Sequence, residues 1–343
     1  MSRKNIITIG GGTGSFTLLS GLKKYDINLS AIVSMADDGG STGVLRDELG
    51  VLPPGDVRQC LAALSDSEKS LRELLSYRFE EGKLKGHNFG NLFLSALEKI
   101  NGSFSRGIEE AKDILKVKGD IIPVTENEAN LCIRLKNNKI LEGESKINHS
   151  NLQRIGITKI CYKPKITANP RAIEAIKKAD LIVIGPGNHY CSILPNLIIK
   201  DFSQAIRESK AKVIYNCNLT NKKGHTENFD VDDFVESINK YIGRDRVNYV
   251  LFNSKNPNQN LIARYEKQEG VRALVHFNQA KNPARKFKLI KGDFLSRNQP
   301  NYSKADKLAS KRAFIRHDSD KLAKAIRLVG ELDSYKSFIK GII

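Results

Sequence analysis

Short runs rich in Ile and Val, each ending in glycine or polar residues and followed by an amphipathic stretch, recur along this chain. Asn5–Ile9 is the first, and Leu29–Val33, Asp180–Ile184, Lys212–Asn216 and Val247–Phe252 follow it. Apolar runs of this length without alternation predict strands buried on both faces. Between them, Ser15–Lys24, Asn91–Ile100, Pro195–Ser209 and Asp230–Ile242 carry apolar residues at helical spacing. The alternation predicts an α/β fold, an open, mostly parallel sheet flanked by helices. The section from about 119 to 162 departs from this pattern, with Ile121-Ile-Pro-Val, Leu131–Leu135, a turn-like Asn137-Asn138 and Ile155–Ile160. It reads as antiparallel strands, a small β-rich insertion. After about residue 270, Phe287-Lys-Leu-Ile and a helical Lys321–Leu328 suggest an α+β appendage. A single α/β domain over residues 1–330 accommodates these parts.

Of the 343 residues, 40% are hydrophobic and 27% charged, values that exclude a disordered or collagenous chain. No apolar run approaches the roughly 18 residues needed for a membrane span. The apolar stretch at the start is too short for a signal peptide, and the expected location is the cytoplasm. The five cysteines, Cys60, Cys132, Cys161, Cys191 and Cys217, form no C-x-x-C pair. Buried thiols in a reducing compartment are the economical reading. The net charge is +18, and Ala263–Ile343 alone holds 19 Lys and Arg against 8 Asp and Glu. A basic surface of this kind suits an acidic partner. The chain lacks the interleaved aromatic and basic residues of RNA-binding surfaces, which favours a solvated basic face over nucleic acid.

Polar loops close the strand-like runs. Gly10-Gly-Gly-Thr-Gly-Ser15 sits between a strand and a helix, where Gly11, Gly12, Thr13, Gly14 and Ser15 offer backbone N–H groups to a phosphate. Ser15 stands where a dinucleotide fingerprint has its third glycine, and no Gly-Lys-Ser/Thr follows, which excludes a P-loop. Ser34-Met-Ala-Asp-Asp-Gly-Gly-Ser-Thr-Gly43 places Asp37 and Asp38 past the second strand. They are candidates to accept ribose hydroxyls, to hold hydrated Mg²⁺ or to act as a base, the alternative being an Asp-rich turn. One of the pair is expected to face the ligand and the other to cap the loop Gly39–Gly43. In Pro53-Pro-Gly-Asp-Val-Arg58, Gly55 ends a stiff turn, Asp56 suits an N-cap for a helix Val57–Leu64, and Arg58, like Arg46, suits bidentate phosphate contact; Gly55, Asp56 and Arg58 are all ligand-binding candidates. Gly86-His-Asn-Phe-Gly-Asn91 adds His87, Asn88 and Asn91 as donors at another helix entry. Gly185-Pro-Gly-Asn-His-Tyr190 contributes Gly185, Gly187 and Asn188, and the loop after Asn216 contributes Asn218. Convergence of these loops at one sheet edge is stronger evidence for a site than any one of them.

The blocks Gly10–Leu22, Ala36–Gly43 and Leu45–Arg58 resemble the gluconeogenesis-factor family, a branch of the superfamily that contains 2-phospho-L-lactate transferase. Gly86–Leu92, Ile122–Glu126, Gly185–Gly187, Ser192–Leu197 and Arg316-His-Asp318 continue the resemblance, in order, over about residues 4–330. It implies a cytoplasmic Rossmann-like protein that binds a UDP-sugar and needs no cofactor, Mg²⁺ being compatible. It adds Arg316 to the ligand-binding candidates. It further implies a link to cell shape and wall synthesis during growth on gluconeogenic carbon sources, with cell-wall synthesis or regulatory proteins as partners, and is compatible with a homo-oligomer. The transferase branch instead moves a phospholactyl group from a nucleotide-activated donor with Mg²⁺. This chain departs from the family pattern at Asn88, at Asn188-His189 and at Asn221-Lys-Lys-Gly224, the last adding positive charge beside the expected ligand.

Overall fold

The computed structural model describes residues 3–297 and 314–340, the last eight of these by backbone alone. Its main sheet has seven strands: β1 (Asn5–Gly10), β2 (Asn28–Val33), β3 (Asp120–Pro123), β7 (Leu181–Ile184), β8 (Lys212–Asn216), β9 (Val247–Asn253) and β10 (Lys288–Gly292). All are parallel, in the order β10-β9-β8-β7-β1-β2-β3. The chain starts at the centre, builds one flank through β2 and β3, then returns to β7 beside β1 and builds the other. The strand order therefore reverses between β1 and β7, where ligands bind in open α/β sheets. Every residue of β7 is buried, as a strand covered on both faces by helices requires.

A separate antiparallel sheet holds β4 (Asn130–Leu135), β5 (Ile140–Glu142) and β6 (Ile157–Lys163) in the order β5-β4-β6. The expected insertion boundary shifts here. The Ile121-Ile-Pro run belongs to the main sheet as β3, because both isoleucines are buried against the helical layers, and the antiparallel strands start at Asn130. The Asn137-Asn138 turn joins β4 to β5, with Asn138 at φ 64°. Ile155 ends a short helix rather than starting a strand. The small sheet is one-sided: Leu131, Ile133, Leu135, Ile160 and Tyr162 are buried, while Arg134, Lys159 and Lys163 are exposed.

The expected helix Pro195–Ser209 is broken into Leu194–Leu197 and Lys200–Glu208, since Ile199 takes an extended conformation between them. Beyond residue 270 the chain adds β10 to the sheet edge, and the helix Ser319–Lys340 packs on the helix Gly12–Leu22. The contact is close enough that a side chain on Gly21 would overlap the Ser319 carbonyl.

Candidate functional site

The glycine loops after β1 and β7 meet over the reversal point. Gly12 sits at φ 64°, and a Cβ on Gly14 would overlap the Pro186 carbonyl oxygen. Around this junction lies a cavity of about 600 Å³. Three helices begin on its wall: Gly12–Leu22, Gly40–Leu49 and Gly55–Leu64. None of the three has a side-chain cap at its N-terminus. Their first-turn N–H groups and dipoles therefore favour an anion in the cavity.

The structure brings Gly11, Gly12, Thr13, Gly14, Asp37, Gly55, Asp56, Arg58, His87, Asn91, Gly187, Asn188, Asn218 and Arg316 to this one cavity. Ser15, Asp38, Asn88 and Gly185 do not line it. Ser15 is buried inside its helix. Asn88 caps the helix Phe89–Asn101, accepting from the Asn91 N–H at 3.3 Å and donating to the Ser76 carbonyl at 3.0 Å. The Gly185 carbonyl accepts from the Asn216 amide at 3.2 Å. Several lining residues also tie loop to loop. The Asn218 side chain accepts from the Gly187 N–H at 3.2 Å and donates to the Gly187 carbonyl at 2.9 Å. Arg58 is nearly buried and donates from Nε to Asn91 Oδ1 at 2.9 Å.

The aspartate pair splits, though not as expected. Asp37 does both jobs: it faces the cavity and accepts the Gly39 N–H at 2.9 Å. Asp38 turns away and accepts the Ser145 N–H at 2.7 Å, at the start of the insertion's helix Glu144–Asn148. Asp56 is not an N-cap. Pro54 already takes a helical conformation and its carbonyl accepts the Arg58 N–H at 2.8 Å, so the helix starts at Gly55. Asp56 thus lies in the first turn, with its carboxylate over Gly11. Arg46 does not line the cavity; its guanidinium donates to the Asn130 side chain of the insertion.

Glu144 is the main lining residue that sequence reasoning missed, together with Arg78, Lys85 and Tyr265. Burial and the neighbouring Asp37 and Asp56 carboxylates push the Glu144 carboxyl well above its usual range. Asp37 is also raised, chiefly by burial, against the lowering effect of the Gly39 N–H. The Asn148 amide donates to Glu144 at 2.9 Å, while its oxygen accepts from Asn188 at 2.8 Å and Lys222 at 2.5 Å. That chain of contacts seats the insertion's helix against the main domain. Three histidines also line the wall, and burial lowers His189 to about 3 and His225 and His317 to about 4, so all stay neutral at pH 7.

Among the described residues no group of three or more His, Cys, Asp or Glu is placed to hold an ion. Mg²⁺ usually binds through one or two carboxylates plus waters and phosphate oxygens, and these residues alone do not supply its shell. The described helices include none long and apolar enough to cross a membrane.

Residues 6–295 match the family model for 2-phospho-L-lactate transferase CofD. The chain is 36% identical to the gluconeogenesis factor of Listeria innocua over 327 residues, covering 95% of each. It is 39% identical to that of Halalkalibacterium halodurans over 277 residues, covering 80% of this chain and 85% of the relative. A crystal structure of a UPF0052 family member from Bacillus halodurans superposes with a TM-score of 0.84 at 36% identity, covering 95% of this chain and 99% of that one. With its parallel sheet, its glycine loops at the reversal point and relatives that align along nearly its whole length, the chain belongs to the gluconeogenesis-factor family, within the group that the transferase model describes.

Proposed function

We propose that the chain binds a nucleotide sugar of the UDP-sugar class and acts as a cytoplasmic regulator. The observation that carries this reading is the convergence of three uncapped helix N-termini on one cavity of about 600 Å³. A diphosphate suits those N–H groups and the cationic Arg58, Arg316 and Lys222 on the same wall. Hydroxyl-rich ribose and sugar suit Asp37, Asp56 and Glu144 as acceptors. The volume lies within the usual range for small-molecule sites, roughly 300–1,000 Å³. The resemblance extends this to control of cell shape and wall synthesis on gluconeogenic carbon sources. A deletion strain that keeps its shape and growth on such sources removes that extension.

Calorimetry with UDP-sugars, UDP, GDP and NAD tests the binding reading. A UDP-sugar at 100 times its Kd should stabilise the fold by about 2.7 kcal/mol. Binding of NAD or GDP with no response to any UDP-sugar overturns it. The cluster of Asp37, Asp56 and Glu144 favours a second reading, transfer from a nucleotide-activated acid. Product formation from such a donor and a deazaflavin acceptor with Mg²⁺ distinguishes turnover from binding alone.

A further inference from the structure

Two cysteines outside the cavity stand directly opposite each other on neighbouring antiparallel strands. Cys132 of β4 pairs with Cys161 of β6 in the small sheet. Both thiols are free. Directly opposed residues point to the same side of a sheet, and here that side is the outer one, shared with Arg134, Lys159 and Lys163. The ladder sets their spacing. Leu131 and Leu135 exchange backbone hydrogen bonds with the β5 side, through the Gly143 N–H and the Lys139 carbonyl. The Cys132 N–H and carbonyl therefore point the other way, toward Cys161. This makes a hydrogen-bonded pair, for which Cα atoms lie about 5.5 Å apart. A disulfide spans roughly 4.4–6.8 Å between Cα atoms, which this pair meets. Its Cβ atoms, wider apart in a hydrogen-bonded pair than in a non-hydrogen-bonded one, must draw together by about 1 Å as the bond forms, which keeps such a bond readily reducible.

We propose that Cys132 and Cys161 form a redox-responsive dithiol, a modification site that a low-molecular-weight disulfide such as oxidised glutathione converts into a cross-strand disulfide. Access and charge assign the roles. Cys161 is half-buried and Cys132 only 4% exposed, so Cys161 meets the oxidant. Burial and the Glu142 carboxylate across the β4–β5 pair push the Cys132 thiol up, which suits it to the second, intramolecular step rather than the first. The Cys161 thiolate attacks one sulfur of oxidised glutathione and releases one glutathione thiolate. The Cys132 thiolate then attacks the Cys161 sulfur of the mixed disulfide and releases the second. Two protein thiols and one glutathione disulfide become one protein disulfide and two glutathione thiols, the protein's two protons passing to the released thiolates. Cys132 also pairs with Glu142 of β5, which leads directly to Glu144. A bond at this place would stiffen the sheet that carries Glu144 into the cavity.

The test is oxidation of the reduced full chain by oxidised glutathione, trapping with N-ethylmaleimide after unfolding, and peptide mass spectrometry. Peptides holding Cys132 and Cys161 should leave the alkylated pool together and reappear cross-linked, two hydrogens lighter. Cys60, Cys191 and Cys217, all buried in the main domain, should remain alkylated. The variant Cys132→Ser should stop at a stable Cys161–glutathione mixed disulfide, and Cys161→Ser should leave Cys132 unmodified. The proposal falls if the wild-type chain accumulates only the Cys161 mixed disulfide. It falls equally if both cysteines are alkylated as fully as in the untreated sample.

Discussion

The main domain and the insertion meet the cavity with opposite chemistry. The main domain brings helix N-termini, Arg58, Arg316 and Lys222, together with three carboxylates, Asp37, Asp56 and Glu269. The insertion brings a single ionisable group, the Glu144 carboxyl, held through Asn148. The central strands of the main sheet are buried on both faces, which fixes where their loops end. The small sheet has one wet face and is located by contacts: Asp38 to Ser145, Arg46 to Asn130, and the Ile147 carbonyl to His225 at 3.0 Å. A site built from a stiff frame and a docked arm can be perturbed at either part separately.

Replacing Asp37 with Asn should have the largest effect on binding, about 1.5–3 kcal/mol of affinity, the range for hydrogen bonds to charged groups. Calorimetry with and without Mg²⁺ reads it, and a loss confined to the Mg²⁺ arm would assign Asp37 to a metal rather than to hydroxyls. Gly12→Val should weaken nucleotide affinity at least tenfold, about 1.4 kcal/mol, because a β-branched residue resists the φ of 64° found there. Unchanged affinity by calorimetry removes the first loop from the site.

Asp38→Ala addresses the arm instead. It leaves the Ser145 N–H without its acceptor and should lower stability by about 1 kcal/mol. Ligand affinity should fall less than in Asp37→Asn, and equal losses in the two variants would erase the distinction between frame and arm. Denaturant titration and calorimetry on the same samples supply both numbers.

The smallest effect concerns pH, and its sign follows from the shifts. A raised Glu144 contributes stability that is present below the ordinary carboxylate range and lost as pH rises through its folded value. Glu144→Gln should therefore raise the melting temperature relative to wild type at pH 8 and lose that advantage near pH 4. The histidines act in the other direction. Their folded values near 3 and 4 lie below the ordinary 6.5, so their contribution is present above about 6.5 and lost as pH falls toward 4. Both proteins should soften on acidification across that window. A Glu144→Gln melting curve that tracks wild type at every pH would show that the carboxyl titrates as though exposed.

Much of the frame was readable in the residues. A strand buried on both faces has few alternatives to an Ile/Val run, and a tight turn onto a helix needs glycine, so β1, β2, β7, β8 and β9 and their loops announce themselves locally. β3 was harder, because Ile121-Ile122 reads the same whether it extends a parallel sheet or opens an antiparallel one; only its pairing with β2 decides. Asp56 was placed on the cavity side, yet its capping role was misjudged, since the helix starts at Gly55, two residues sooner than the expected Val57, with Pro54 already helical.

The sequence by itself determined the parallel α/β frame, the phosphate-compatible loops and the family, because each rests on residues adjacent in the chain. Tertiary structure alone decided which of two neighbouring aspartates faces the cavity and that Arg46 serves the insertion. It also decided that Glu144 joins Asp37 and Asp56, and that Cys132 stands opposite Cys161. Each of these depends on where a side chain meets one tens of residues away, and local spacing carries no record of that meeting.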